Sequence, residues 1–125
     1  MARLGLLDDA GHPRVLPVTY AVFEGSLWSA VDEKPKRAPG EELARVRWLR
    51  ARPQATLTVD HYSDDWSRLA WVQVLGRVDI VEAADARGAL EALAARYPAY
   101  EQRPPPGPLL ALRPQRCLSW RAEGT

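Results

Sequence analysis

The fold of this chain is decided by residues 15–31, which read VLPVTYAVFEGSLWSAV. The first nine of these residues are rich in β-branched and aromatic side chains, and the last six continue the pattern. Glu24-Gly25 between the two halves is a tight-turn signal, so the stretch predicts a β-hairpin. An apolar run over residues 3–7 adds a third strand. Pro17 lacks a backbone donor and therefore marks an edge strand or a bulge.

The remainder of the chain alternates further β patterns with two helices. Helices are predicted over residues 41–50 and 84–96, and strands over 55–59, 69–81 and 109–120, with a bend at Gly76 and an interruption at Pro114. The order of three strands, helix, two strands, helix and strand excludes a regular βαβ alternation. The predicted architecture is mainly β (α+β), an antiparallel barrel with covering helices.

Length and composition indicate a single globular domain over residues 1–125, because 46% hydrophobic and 26% charged residues are typical of a packed, soluble chain. No apolar run approaches the roughly 18 residues of a membrane span, and no secretory signal is recognisable. Cys117 is the single cysteine, expected as a buried thiol, and this usage favours a reducing cytoplasm. One cysteine and two histidines argue against a metal site.

The net charge of +1 argues against nucleic acid as a partner. Residues 34–52 are nevertheless locally basic, because only Glu41 and Glu42 oppose seven cations: Lys34, Lys36, Arg37, Arg45, Arg47, Arg50 and Arg52. A basic patch on a nearly neutral domain is typical of a small anionic ligand. On charge alone, a solvated basic loop is the competing interpretation.

Recognisable catalytic motifs are absent, and no catalytic residue is predicted. The polar, aromatic loop after residue 60 offers His61, Tyr62 and Trp66 as candidates for a substrate pocket. Arg68 in the same loop either pairs with Asp65 or reaches a cofactor.

Three stretches of the chain carry a family resemblance: residues 28–37 with the motif KPKR, residues 59–68 with HY..DWSR, and residues 94–98 followed by the proline run 104–108. Together they resemble the pyridoxamine-5′-phosphate-oxidase-like split-barrel superfamily, and within it a branch of probable F420-dependent enzymes. The resemblance implies a six-stranded split β-barrel, a homodimer, and a flavin or deazaflavin bound between the subunits.

The resemblance also implies residue roles. Lys36 would hold the cofactor phosphate, and Lys34 and Arg37 would assist. Ser29 and Ala30 at the end of the preceding strand would lie near the cofactor ring. Val18 and Thr19 would border the same groove, since we expect their strand to pair with residues 28–31. Arg68 would reach the cofactor of the partner subunit.

The chain departs from this family at several points. Relatives usually continue KPKR with Thr or Ser, whereas this chain has Ala38-Pro39-Gly40, and Trp48 stands where relatives tend to carry Asn. Relatives also begin with a helix before the first strand, and here Met1 lies almost at that strand.

Three functions follow. The first is an F420-dependent oxidoreductase passing hydride between the deazaflavin and a small organic substrate. The second is an FMN-dependent relative of the same fold. The third is a protein that binds F420, FMN or haem without turnover. The carboxylate-rich tail of F420 suits the basic patch better than the single terminal phosphate of FMN.

Overall fold

A computed structural model describes residues 1–31 and 43–123 of the chain. Within them the strands are β1 (Ala2–Leu7), β2 (Pro13–Val18), β3 (Ala21–Phe23), β4 (Ser26–Ala30), β5 (Gln54–His61), β6 (Ala70–Val81) and β7 (Leu109–Arg121). The α-helices are α1 (Ala44–Ala51), α2 (Arg87–Arg96) and α3 (Ala99–Gln102), and single 3₁₀ turns form at Trp66–Arg68 and Ala83–Asp85. The strands form one antiparallel sheet in the order β2-β1-β5-β6-β7-β4-β3.

The predicted six-stranded barrel is wrong in strand number and in closure, because the described residues form seven strands in an open sheet. The predicted strand over residues 15–23 breaks at Thr19 and Tyr20. Its first half, β2, pairs with β1 at one edge of the sheet, and its second half, β3, pairs with β4 at the other edge. Pro17 therefore lies in an edge strand, as expected.

The sheet curls strongly on itself. Val18 ends β2 and Ala21 begins β3, and three residues of chain span at most about 11 Å. In a flat sheet of seven strands the two edges would stand roughly 29 Å apart, at about 4.8 Å per strand. The edges must therefore approach each other, although no ladder between β2 and β3 closes the sheet within the described residues.

The inner surface of the curl holds the larger buried cluster. It includes Leu4 and Leu6 from β1, Leu57 from β5, and Leu110 and Leu112 from β7. Helix α1 adds its two buried residues, Val46 and Leu49, as the predicted apolar face requires.

The outer surface of β4 and β7 carries a second cluster, because side chains alternate across a sheet. Leu109 and Ala111 face this side and pack on α2 through Ala89 and Leu93. All four are fully buried, so α2 is fixed on the outside of the sheet by apolar contact.

Two local predictions have different outcomes. The bend at Gly76 is confirmed, since the register of β6 against β7 shifts between Leu75 and Gly76. The prediction of a buried thiol is wrong, because Cys117 is exposed. It lies in the second half of β7, which extends beyond the two clusters and is exposed over most of its length.

The longest helix among the described residues, α2, has ten residues. None there is long and apolar enough to cross a membrane.

Candidate functional site

The junction between β2 and β3, residues 18–21, is held by side chains from the other end of the chain. We call this segment the corner. The backbone N–H of Tyr20 donates to the hydroxyl of Tyr97 at 3.1 Å, and the hydroxyls of Thr19 and Tyr100 share a hydrogen bond of 2.9 Å. The rings of Tyr97 and Tyr100 meet edge to face, 5.8 Å apart. The Tyr97 hydroxyl thus gives the Tyr20 backbone N–H the partner that a strand ladder would give, and Tyr100 holds the corner through the Thr19 side chain.

The end of β4 lies beside the corner. Ser29 and Ala30 pair with Leu110 and Leu109 of β7. On its other side β4 pairs with β3 only as far as Trp28, whose partner is Ala21 at the end of the corner. Within the described residues, Ser29 and Ala30 therefore have a strand partner on one side only.

The structure brings some of the predicted cofactor-binding residues together, but not by the expected pairing. Val18 and Thr19 were expected on the strand that pairs with β4, and this is wrong. Val18 ends β2 and pairs with Ala2 of β1, and it is buried in the inner cluster. The strand that does pair with β4 begins at Ala21, so Thr19 approaches the site through the corner.

The hydroxyl of Ser29 has an unusual environment. Ser29 is 5% exposed, and its Oγ has no hydrogen-bond partner. It lines a cavity of about 10 Å³ inside the sheet, together with the ring of Tyr20 and apolar side chains such as Leu57 and Val78. This space suits at most one water molecule, so a cofactor ring cannot lie there.

Sequence reasoning missed Arg96. Its guanidinium carbon lies 4.4 Å from the ring centroid of Tyr20 and 5.6 Å from that of Tyr97. The side-chain hydrogen bond with Tyr97 raises the pKa of the Arg96 guanidinium above its ordinary value. An arginine in the last turn of a helix is unremarkable in sequence, because it also suits the helix dipole.

The candidates for the substrate pocket lie elsewhere. His61 ends β5, and Tyr62, Trp66 and Arg68 follow in the loop to β6. All four are exposed, Tyr62 by 73% and Trp66 by 74%. The carboxylate of Asp65 accepts hydrogen bonds from the backbone and hydroxyl of Ser67, which stabilises the 3₁₀ turn.

Sheet register separates this loop from Ser29 and Ala30. His61 pairs with Ala70 at the start of β6, whereas Ser29 pairs with Leu110, which pairs with Ile80 near the end of β6. Ten residues of strand correspond to roughly 33 Å, at about 3.3 Å per residue. Along β6, the loop therefore lies far from Ser29 and Ala30. Val18, in contrast, is at the loop's end of the sheet, because it pairs with Ala2 and the preceding Pro17 lines a surface pocket with Asp60.

The basic motif falls outside the described residues, because Lys34, Lys36 and Arg37 belong to residues 32–42. Farther along the basic patch, Arg47 pairs with Asp9 at 3.4 Å and Arg52 donates to the carbonyl of Asp8 at 2.6 Å. These two arginines hold α1 against the β1–β2 turn, so part of the patch is structural.

A groove on the outer face of the sheet has a volume of about 350 Å³. It lies between β1, β2, β5 and β6, near Gly5, Val15, Thr56 and Leu75. Its cation, Arg14, stacks on Trp48 and pairs with Asp8. Of the predicted site residues that the structure describes, none lines this groove, and because Arg14 is already paired, the groove is a poor site for a phosphate.

No three potential metal ligands converge within residues 1–31 and 43–123.

The chain with this curled antiparallel sheet and corner can be compared with known protein families. Residues 1–121 match the family described as pyridoxamine 5′-phosphate oxidase, and the chain belongs to this family. The predicted superfamily is thereby confirmed. No curated protein matches the chain.

Solved structures show the same fold at low sequence identity. A heme-binding protein from Mycobacterium smegmatis superposes with a TM-score of 0.77 at 21% identity, over 99% of this chain and 50% of its own. An FAD-binding protein from Mesorhizobium loti gives 0.65 at 19% identity, over 94% and 83%. An F420 reductase gives 0.63 at 21% identity, over 94% and 87%. The chain thus spans half the length of the mycobacterial protein, and these similarities establish the fold alone.

Proposed function

We propose that this chain binds coenzyme F420 at the end of β4 beside the corner and acts as an F420-dependent oxidoreductase on a small organic substrate. The single observation that carries the proposal is the one-sided pairing of Ser29 and Ala30. Backbone groups at such an edge can bind the polar rim of a flat ring, as an added strand would. Membership of a family that includes oxidoreductases, and the fold shared with an F420 reductase, support it.

The chain's own residues would bind and orient the cofactor. When bound, a deazaflavin supplies hydride transfer itself. The backbone of Ser29 and Ala30 would align the ring, and the rigid corner would form the wall beside it. Directly after Val31 the chain enters the motif with Lys34, Lys36 and Arg37, whose cations would hold the phosphate.

We further propose that the working unit is a homodimer. Within one chain, Arg68 and the loop with His61, Tyr62 and Trp66 lie at the opposite end of the sheet from Ser29. A second copy can bring its loop to the corner of the first. The outer face, with its 350 Å³ groove and with Val15 66% exposed, is an apolar surface that this second copy would cover.

Binding titrations test the cofactor. We expect the purified protein to bind F420 more tightly than FMN, followed by cofactor fluorescence. Lys36→Glu should abolish binding of both, because charge reversal repels the phosphate, whereas Arg103→Glu serves as the control at an exposed cation outside the motif. Normal F420 binding by Lys36→Glu would refute the assigned phosphate site.

Subunit mixing tests the shared site. Lys36→Glu and Arg68→Ala should each bind F420 poorly. If each site takes Lys36 from one copy and Arg68 from the other, the mixed dimer of the two variants regains one intact site. Mixing should then restore half of the binding capacity. Light scattering that gives the 14.0 kDa monomer would contradict the dimer.

A second candidate function is cofactor binding without turnover. It is favoured by the fold shared with the heme-binding protein and by His61, an exposed potential axial ligand at the end of β5. Tight haem binding that His61→Ala removes, with no F420 binding, would establish this function in place of the first.

A further inference from the structure

Arginines stack on aromatic rings at three places among the described residues, and the three places differ. Arg14 lies 4.9 Å from the ring centroid of Trp48 and also pairs with Asp8 at 3.5 Å. Arg113 lies 5.2 Å from the ring centroid of Trp28 and pairs with Asp79 at 3.0 Å. In both, a carboxylate neutralises the stacked guanidinium.

The third stack is open. Arg96 lies closer to its ring, 4.4 Å from the centroid of Tyr20, and no carboxylate of the described residues pairs with it. A guanidinium has five N–H donors, and the Arg96 side chain shares a hydrogen bond with the Tyr97 hydroxyl. Most of its donors thus remain for a ligand, on a side chain that is exposed at the surface.

Hydrogen bonds and ring packing hold the platform below Arg96. The Tyr20 backbone is bound by Tyr97, the neighbouring Thr19 is bound by Tyr100, and these two rings pack against each other. A guanidinium held on such a platform loses little side-chain entropy when it binds a planar anion.

The platform also adjoins the proposed cofactor site. Tyr20 lines the small cavity together with Ser29, and its ring carries the guanidinium of Arg96. Arg96 and the end of β4 thus share Tyr20 as a neighbour.

We propose that Arg96 is a binding residue for an anionic group of the ligand, a carboxylate or a phosphate, which completes the open stack as Asp8 and Asp79 complete the other two. The identity of the ligand rests on the proposed function, whereas the anion site rests on the stack itself.

The first experiment does not depend on the cofactor. The protein is titrated with inorganic phosphate and with glutarate, and the arginine Nε–Hε signals are followed by NMR. Arg96 is assigned from the signal missing in Arg96→Lys. We expect a saturable shift for Arg96 and none for Arg103, an exposed arginine in the same region without a ring below it. The absence of a saturable Arg96 shift with either anion would overturn the inference, even if F420 binds.

The second experiment identifies the group. Dissociation constants for F420, FMN and riboflavin are measured for the parent protein, Arg96→Gln, Arg96→Lys and the control Arg103→Gln. We expect Arg96→Gln to weaken F420 binding about tenfold, the usual effect of one charge-assisted hydrogen bond, and Arg96→Lys to weaken it less. Riboflavin, which lacks an anionic group, should be unaffected.

The pattern across cofactors separates the outcomes. If Arg96→Gln weakens F420 binding and leaves FMN binding unchanged, Arg96 binds a carboxylate. If it weakens the binding of both cofactors equally, Arg96 binds the phosphate. Equal loss for all three, or no loss at all, would overturn the inference by reducing Arg96 to a structural role. If the parent protein binds none of the three, the proposed function fails, and the phosphate and glutarate titrations still decide the anion site.

Discussion

The corner and the loop after β5 have similar compositions and very different environments. The corner with α2 and α3 combines Tyr20, Tyr97, Tyr100 and Arg96, and each side chain has a defined partner. The loop over residues 62–69 also combines aromatic and basic residues, yet its Trp66 is 74% exposed. Aromatic and basic composition therefore does not distinguish a built site from an open one. What differs is that backbone groups leave the ladder at the corner and need partners there.

The largest expected contrast is between a side chain that fixes α2 beside the corner and one in the loop. Leu93→Ala should lower the free energy of unfolding by about 3 kcal/mol, because it removes most of a fully buried side chain and leaves a cavity in its place. Trp66→Ala should change it by less than about 0.5 kcal/mol. Guanidinium denaturation measures both. A cost for Trp66→Ala that grows with protein concentration would show that a second copy covers the loop.

The tyrosine hydroxyls should give the next largest effect. Tyr97→Phe and Tyr100→Phe should each cost about 1 kcal/mol or more in urea unfolding, because the first removes the hydrogen bond to the Tyr20 backbone and the second the hydrogen bond to the Thr19 hydroxyl. Tyr62→Phe is the matched control, as Tyr62 is 73% exposed. Equal effects for all three variants would mean that the corner is not held by these hydroxyls.

A pair of serines on β4 offers a finer test. Ser26 and Ser29 are both 5% exposed, but the Oγ of Ser26 accepts a hydrogen bond from Arg113 and that of Ser29 has no partner. Ser26→Ala should cost about 1 kcal/mol, whereas Ser29→Ala should be neutral or slightly stabilising. Thermal unfolding of the two variants measures the difference. Clear destabilisation by Ser29→Ala would point to a bound water in the 10 Å³ cavity.

The smallest expected effect concerns the turn after β1, where the carboxylate of Asp8 is partly buried. The backbone N–H of His12 lowers the pKa of Asp8 below its ordinary value. A group whose pKa is depressed on folding stabilises the folded state above its unfolded pKa, near 3.9. This contribution is lost as pH falls through the folded pKa. Stability measured from pH 6 to pH 3 should fall less steeply for Asp8→Asn than for the parent chain, and Asp64→Asn should follow the parent.

Most strands and both main helices could be predicted from the sequence, because their signals are local. Glu24-Gly25 forms the expected tight turn with both φ angles positive, at 49° and 76°. The break at Thr19 and Tyr20 could not be predicted, because both residue types favour strands. The groups that hold this break are distant in sequence: Tyr97 and Tyr100 lie some 80 positions away, and they bind the Tyr20 backbone N–H and the Thr19 hydroxyl.

The candidate site was predicted only in part for a similar reason. The assignment of Ser29 and Ala30 to the cofactor stays a prediction, and the pairing assumed for Val18 was wrong. The sequence around Arg96 contains no signal for the proposed anion binding. That role depends on the ring of Tyr20 below the guanidinium and on the fact that no carboxylate of the described residues pairs with it. The predicted homodimer and cytoplasmic location stay predictions.

The sequence by itself determined the family, the antiparallel strand pattern and the helix faces, since hydrophobic periodicity and turn residues act over a few positions. Only the tertiary structure decided which hydroxyls hold the corner, which serine is left unpaired and which stacked arginine is left open. Those properties depend on partners from distant segments. These partners meet because the sheet curls until its two edge strands, β2 and β3, are joined by only two residues of chain, Thr19 and Tyr20.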